Sequence, residues 1–398
     1  MTSLTSKVSL YACSTAIGIS AQLIMIPILL NALSIESYGE VGLYLGLTAI
    51  FTAILPVSSE NAIARSVFEE DQNLNEQVFV TGNTIVVVTF FLILMITWFL
   101  RYWLTEALSN VVLLAAFSSV FQVALNFILV QLQMREEVIK YFLISVCHAT
   151  FTVALTIYWL PTLDVFARYF APIVSSFVVL ILYCAITECR YVYFKLGVAG
   201  WDYVRRVGIP LAPHSLVGVS ANYLDRFVLK FLGYDVLLGF YTLSSQLVNA
   251  VQAALSAVNN AYTPWIFAKI RENRAPQLRS TILILFSLCA GLILFLSWLV
   301  PLVPPNKYSV VLNSLYLVPI YIFFEGSYYL VAPILYFNKL GTKISTISLI
   351  TAAVRVGLLF IYLYNYEPSL EGVLVTLVVA SSVKAMVTIG AARLQNDT

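Results

Sequence analysis

Apolar residues fall in long unbroken runs, and short clusters holding most of the charge separate them. Twelve runs can be drawn, at about 8 to 31, 40 to 64, 78 to 100, 107 to 131, 139 to 160, 166 to 187, 207 to 232, 236 to 263, 280 to 302, 309 to 337, 343 to 364 and 371 to 392. Each reaches roughly the 20 residues that an α-helix needs to cross a bilayer. A membrane barrel would instead show segments of about 10 residues alternating between apolar and polar. The pattern therefore predicts an all-α polytopic membrane bundle of about twelve transmembrane helices. The connections are short, leaving no room for a soluble domain on either side.

Composition narrows the class further. Of 398 residues 60% are hydrophobic and only 11% charged, which excludes a water-soluble globular protein, a disordered chain and a nucleic-acid binder. Five cysteines, at 13, 147, 184, 189 and 289, lie in or beside apolar runs and form neither a disulfide framework nor a metal-ligand spacing. The first run is too long for a cleavable signal and is read as a permanent span.

Orientation follows from lysine and arginine, which concentrate in cytoplasmic loops. The loop set containing both termini holds fifteen of them, among them Lys7, Arg65, Arg135, Lys140, Arg205, Arg206, Arg274 and Arg393, whereas the other set holds four, Arg101, Arg168, Lys230 and Lys307. Both termini are expected in the cytoplasm, which requires an even number of spans.

The longest connection, ECRYVYFKLGVAGWDYVRR, lies near the middle of the chain. It divides the sequence into an N-terminal six-helix lobe (1–187), a cytoplasmic interfacial linker (188–206) and a C-terminal six-helix lobe (207–398). Its aromatic residues alternate with basic ones, as in a segment lying at lipid headgroups, although a simple anchored loop reads the same way. A shift of 197 residues superimposes Gly42 on Gly239, Tyr44 on Tyr241, Thr48 on Ser245, Thr52 on Asn249 and Ser59 on Ser256. Two parallel six-span repeats are implied.

In the eighth run Thr242, Ser245, Asn249, Gln252, Ser256 and Asn259 recur at spacings of 3 and 4 and so share one helical face. Lipid cannot satisfy such side chains, so the face looks into protein or into water. Thr48, Thr52 and Ser59 form the related face of the second run, and the fourth offers Ser119, Gln122 and Asn126. A hydrated cavity explains these faces, and so does close packing between helices.

Ionisable residues deep in spans are functional candidates. They are Glu60, Asp225, Arg226, Glu325, Arg355 and Lys384, with Arg65 at the inner edge. Glu325 and Arg355 sit at similar depth in consecutive spans, so a buried Glu325–Arg355 salt bridge is the economical structural reading, and Lys384 has no evident partner. His148 and His214 are too scattered for a metal or a nucleophilic triad and read as core histidines. Pro210, Pro213 and Pro264 are placed to bend the seventh and eighth spans.

The stretch from Pro210 to Arg271, centred on DRFVLKFLGYDVLLGFYTLSSQLVNAVQAALSAVNNAYTPWIFAKIR, resembles the bacterial polysaccharide flippases of the O-antigen type. The opening LLNALSIESYGEVGLYLGL followed by ENAIAR resembles that family's first two spans, and the layout matches over the whole chain. The matching features are Asp225 with Arg226, Gly239 with Tyr241, and Pro264. The resemblance implies two six-helix lobes enclosing a central cavity, alternating access, and membership in the superfamily of the multidrug antiporters. It implies as substrate an oligosaccharide on a polyprenyl pyrophosphate, assembled at the cytoplasmic face of the bacterial inner membrane and turned outward for surface polysaccharide such as the O-antigen of lipopolysaccharide.

On that reading the protein is not an enzyme and needs no cofactor or metal. A proton or sodium gradient drives it, the choice between them being open, and its partners are the glycan lipid, the bilayer and other glycan-assembly membrane proteins. Arg226, Arg355 and Arg65 would meet the pyrophosphate, Thr48, Thr52, Thr242, Ser245, Asn249, Gln252 and Ser256 would line the cavity, and Asp225, Glu325 and Glu60 are candidates for ion coupling. The rivals are a small-molecule cation antiporter of the same architecture and a membrane glycan polymerase or lipid-linked sugar transferase, against which the short outward loops argue.

Overall fold

The computed structural model describes residues 4–69, 72–103, 105–187, 197–250, 252, 305–337 and 341–396. Among these no strand occurs, and helices make up nearly all of the chain. They are α1 (Leu4–Ala32), α2 (Ile35–Ile54), α3 (Ser59–Ser66), α4 (Gln72–Leu100), α5 (Glu106–Met134), α6 (Val138–Leu163), α7 (Val165–Thr187), α8 (Val198–Val207), α9 (Ala212–Ala221), α10 (Leu224–Phe231), α11 (235–250), α12 (Pro305–Ser314), α13 (Leu317–Phe337), α14 (Gly341–Asn365) and α15 (Leu370–Asn396). Six described helices are long and apolar enough to cross a membrane, and eight spans result if two bent pairs each count as one. The end of the eighth run, from 253 on, and all of the ninth lie outside the described residues. The protein is an all-α polytopic membrane bundle.

Two compact units divide the chain, one of residues 1–33 and 40–223 and the other of 34–39 and 224–398. In the first, Leu55, Ile63, Val78, Phe127 and Val204 form the centre of a buried apolar cluster. Its outward faces are just as apolar: Phe91, Met95, Ile96 and Phe99 of α4 are all at least half exposed. Such a surface is stable only against hydrocarbon. Trp98 and Tyr102 close the far end of α4, with the Arg101 guanidinium about 5 Å from both rings, an arrangement suited to the headgroup level.

Three apolar runs are broken rather than straight. The second bends by 53° between α2 and α3. Pro56 cannot continue the hydrogen-bond ladder, and Val57 and Ser58 follow with φ of 48° and 57°, a left-handed conformation unfavourable for a β-branched residue. The freed carbonyls are taken up locally, Leu55 O by Thr89 Oγ1 at 2.7 Å and Pro56 O by Ser59 Oγ at 2.5 Å, which is how a break survives inside lipid. The tenth run bends by 47° between α12 and α13. In the seventh, Pro210 and Pro213 stand at the start of the span. They fall in a 3₁₀ turn (Ile209–Leu211) and in the first turn of α9, where a missing N–H costs nothing. The break comes later, at Asn222 and Tyr223, with no proline involved. Pro264 lies outside the described residues.

Part of the expected linker, 188–196, also lies outside them. The rest forms α8, an amphipathic helix that packs on α4 in the first unit. Gly200 permits the contact, since a Cβ there would stand 2.5 Å from Gln77 O and from Thr81 Oγ1. Tyr203 donates to Glu69 Oε1 at 2.8 Å, and burial, with the Glu69 carboxylate beside it, pushes the phenol up to about 12, so it remains a neutral donor at ordinary pH.

Candidate functional site

Charge buried in the bundle gathers in the second unit. Asp225, Arg226, Glu325 and Arg355 are the charged residues buried below a tenth exposure among the described ones, and all four belong there. Helix α10 is only eight residues long and strongly amphipathic, so Asp225, Arg226, Val228 and Leu229 turn inward together. Its two adjacent charges then diverge, because successive helical side chains point about 100° apart.

Asp225 Oδ2 accepts from Arg355 Nε at 2.8 Å, from a terminal Arg355 nitrogen and from the Tyr241 hydroxyl. Arg355 donates in turn to the Tyr241 oxygen at 2.9 Å. Three spans are thereby tied by one charged triad of α10, α11 and α14. Arg226, only 1% exposed, reaches Ser245 Oγ on α11 at 2.8 Å. The expected Glu325–Arg355 bridge does not form. Lys384 Nζ lies 2.5 Å from Glu325 Oε1 and 3.7 Å from the centre of the Tyr328 ring. The reason is packing: α13, which carries Glu325, runs along α15, which carries Lys384, whereas its contact with α14 is slight and no larger than that of α14 with α10. Neighbours in the sequence are not the neighbours that neutralise each other.

The polar stripe of the eighth run is mixed in character. Thr242 is fully buried, and its hydroxyl makes no hydrogen bond. Ser245 and Asn249 are half-buried, and Gln252 donates to the Tyr321 hydroxyl at 2.6 Å. Leu247 and Val248 beside them are packed. Ser256 and Asn259 lie outside the described residues.

In the first unit, Thr48 is buried, Thr52 bonds back to Ala49 O at 2.8 Å, and Ser119 Oγ donates to Ala115 O at 2.7 Å. Glu60 sits in the first turn of α3, with Oε2 buried and without a hydrogen-bond partner. Arg65, at the other end of α3, is exposed and near enough to Tyr203 to act on its phenol. His148 is held by Ser176 Oγ at 3.0 Å, as a core histidine would be. A set not foreseen from the sequence joins α3, α4 and α5: Asn75 donates to Ser66 Oγ at 2.9 Å, and its Oδ1 accepts from Gln131 at 3.0 Å and from Arg135 at 3.1 Å. Tyr241 stood out in the sequence as a repeat partner of Tyr44 and, with Gly239, as a feature of the family resemblance, but its bond to the buried ions was not foreseen.

Comparison with known proteins agrees with this architecture. The chain resembles, at 18% identity and TM-score 0.71, an inward-facing multidrug resistance MATE family transporter of the MOP superfamily, with 96% of this chain and 94% of that one covered. Among curated proteins it is 27% identical over 259 residues to the Lsg locus putative protein 1 of Haemophilus influenzae, covering 63% of each chain, so the match spans under two thirds of that relative. An uncharacterized membrane protein of the same organism is 24% identical over 292 residues, 72% of this chain and 70% of that one. The polysaccharide biosynthesis protein family matches residues 4–271, about two thirds of the sequence. With a multi-pass helical bundle and a family match of that extent, the chain belongs to the polysaccharide biosynthesis protein family.

Proposed function

We propose that the protein is a flippase that carries an oligosaccharide unit on polyprenyl pyrophosphate from the cytoplasmic to the outer face of the inner membrane by alternating access. The observation that carries this reading is the family match over residues 4–271 in a chain whose second unit keeps arginine inside the bundle. A pyrophosphate stripped of water needs fixed cations, and guanidinium groups meet its oxygens in pairs.

The buried pairs sort the candidates. Asp225 neutralises Arg355 and Glu325 neutralises Lys384. Arg226, a guanidinium 1% exposed inside the second unit, is the leading headgroup ligand, with Ser245 holding it in place, and Arg355 is a positioning residue. Asn249 and Gln252 supply hydrogen bonds to sugar. Glu60, a half-buried side chain with Oε2 shut off from solvent at the break of the second span, is the candidate for coupling turnover to a proton or sodium gradient.

The test is export of surface glycan in a deletion strain carrying variants. Arg226→Ala is expected to abolish export while the protein stays inserted, and Arg226→Lys to restore a part. Full export by Arg226→Ala removes this residue from the path. Efflux of cationic dyes with no effect on glycan would support the small-molecule antiporter instead.

A further inference from the structure

A groove of about 760 Å³ lies in the first unit between α4, α5 and α7. Phe79, Phe121 and Phe177 wall it, and Asn83 and Gln131 are its amide side chains. Phe177 and Ile181 at its rim are about half exposed, so it opens on the lipid-facing side of α7. Along α5 it runs from Val120 to Gln131, roughly 16 Å at the helical rise of about 1.5 Å per residue. That is about half of a hydrocarbon core of roughly 30 Å, the depth of a single leaflet. It occupies the halves of α4, α5 and α7 that lead to the basic loops.

The end of the groove is polar in a specific way. Gln131, 3% exposed, is fixed by Asn75 Oδ1, and the same oxygen accepts from the Arg135 guanidinium one helical turn further on. An apolar trough one leaflet deep thus terminates beside a guanidinium held in position, which complements a single long chain ending in phosphate. We propose that this groove seats the isoprenoid chain of the lipid-linked substrate, with the anionic head at Arg135, as a loading position that precedes engagement of Arg226. This rests on the flippase reading for the identity of the lipid, not for the presence of the site.

The full-length protein in nanodiscs of phosphatidylethanolamine and phosphatidylglycerol, given a polyprenyl monophosphate with a benzophenone on its chain, tests this by photolabelling and peptide mapping. Labels are expected within residues 120–131 and 177–185, and Ala124→Trp, which fills the groove, should reduce them at least about tenfold. Arg135→Gln should remove the preference for the phosphate over the neutral polyprenol, again by about tenfold. Because a tryptophan there can hinder folding, the groove is also blocked after folding, by a bulky apolar maleimide on Cys184, a half-buried thiol in its wall, in a chain whose other four cysteines are replaced by serine. The same loss is expected.

Labelling spread over exposed positions such as Phe91 and Ile157, or competition by phosphatidylglycerol equal to that by unlabelled polyprenyl phosphate, overturns the proposal. Glycan-lipid transport with no groove labelling sinks the groove alone. Groove labelling in a protein that moves no glycan lipid sinks the transport reading alone.

Discussion

Tyr44 and Tyr241 coincide when the sequence is shifted by 197 residues, yet their hydroxyls do different things. In the first unit Tyr44 donates to a backbone carbonyl, Tyr169 O, at 3.0 Å. In the second, Tyr241 is part of a charged triad with Asp225 and Arg355. The contrast extends to the interiors. Buried polar residues of the first unit are hydroxyls and amides such as Ser59, Asn75, Ser119 and Gln131, whereas the second adds four buried charges. Among the described residues the first unit has no charged residue below a tenth exposure, whereas the second holds charge in low dielectric, where each ion must be matched.

The largest expected effect comes from breaking the triad. Asp225→Asn leaves Arg355 buried without its acid and should destabilise the purified protein by about 3–5 kcal/mol, read from unfolding in detergent. Adding Arg355→Gln should recover much of the loss, while Glu325→Gln and Arg355→Gln should simply add. Strong coupling between Glu325 and Arg355 instead would mean that the buried ions pair as their order in the sequence suggests.

Lys384→Met, which orphans Glu325, should cost somewhat less, about 3 kcal/mol, because this pair is less deeply buried. Glu325→Gln in the same chain should offset it. No recovery in that double variant would show that the two residues act separately.

The finest comparison uses the tyrosines themselves. Tyr241→Phe removes hydrogen bonds to charged groups and is expected to cost about 2 kcal/mol, against about 1 kcal/mol for Tyr44→Phe. Equal losses would erase the distinction between the units.

Much of this architecture can be read from the amino-acid order. Span length and apolar composition predict the bundle because lipid imposes a single rule along each segment. The inward set of ions was legible too, since a charge in an apolar run, such as Glu325 or Arg355, is tolerated only where it turns away from lipid. Their pairing was not legible. It depends on α13 lying against α15, a tertiary fact that hydropathy does not carry. Similarly, neither of two breaks was foreseen: the second run reads as continuous from 40 to 64 although Pro56 lies in it, and the break at Asn222 and Tyr223 has no proline or glycine to announce it. The Asn75, Gln131 and Arg135 set was hidden because its members sit at the ends of different runs and share no periodicity.

Transport itself is measured most directly in proteoliposomes holding a fluorescent polyprenyl-pyrophosphate saccharide, with a membrane-impermeant quencher added outside. Protein-free vesicles lose only the label of the outer leaflet. With the protein reconstituted, quenching should proceed into the inner-leaflet label, and with Arg226→Ala it should stop where the protein-free vesicles stop. Quenching by the wild-type protein no deeper than in protein-free vesicles, under a proton gradient and under a sodium gradient, would contradict the flippase reading.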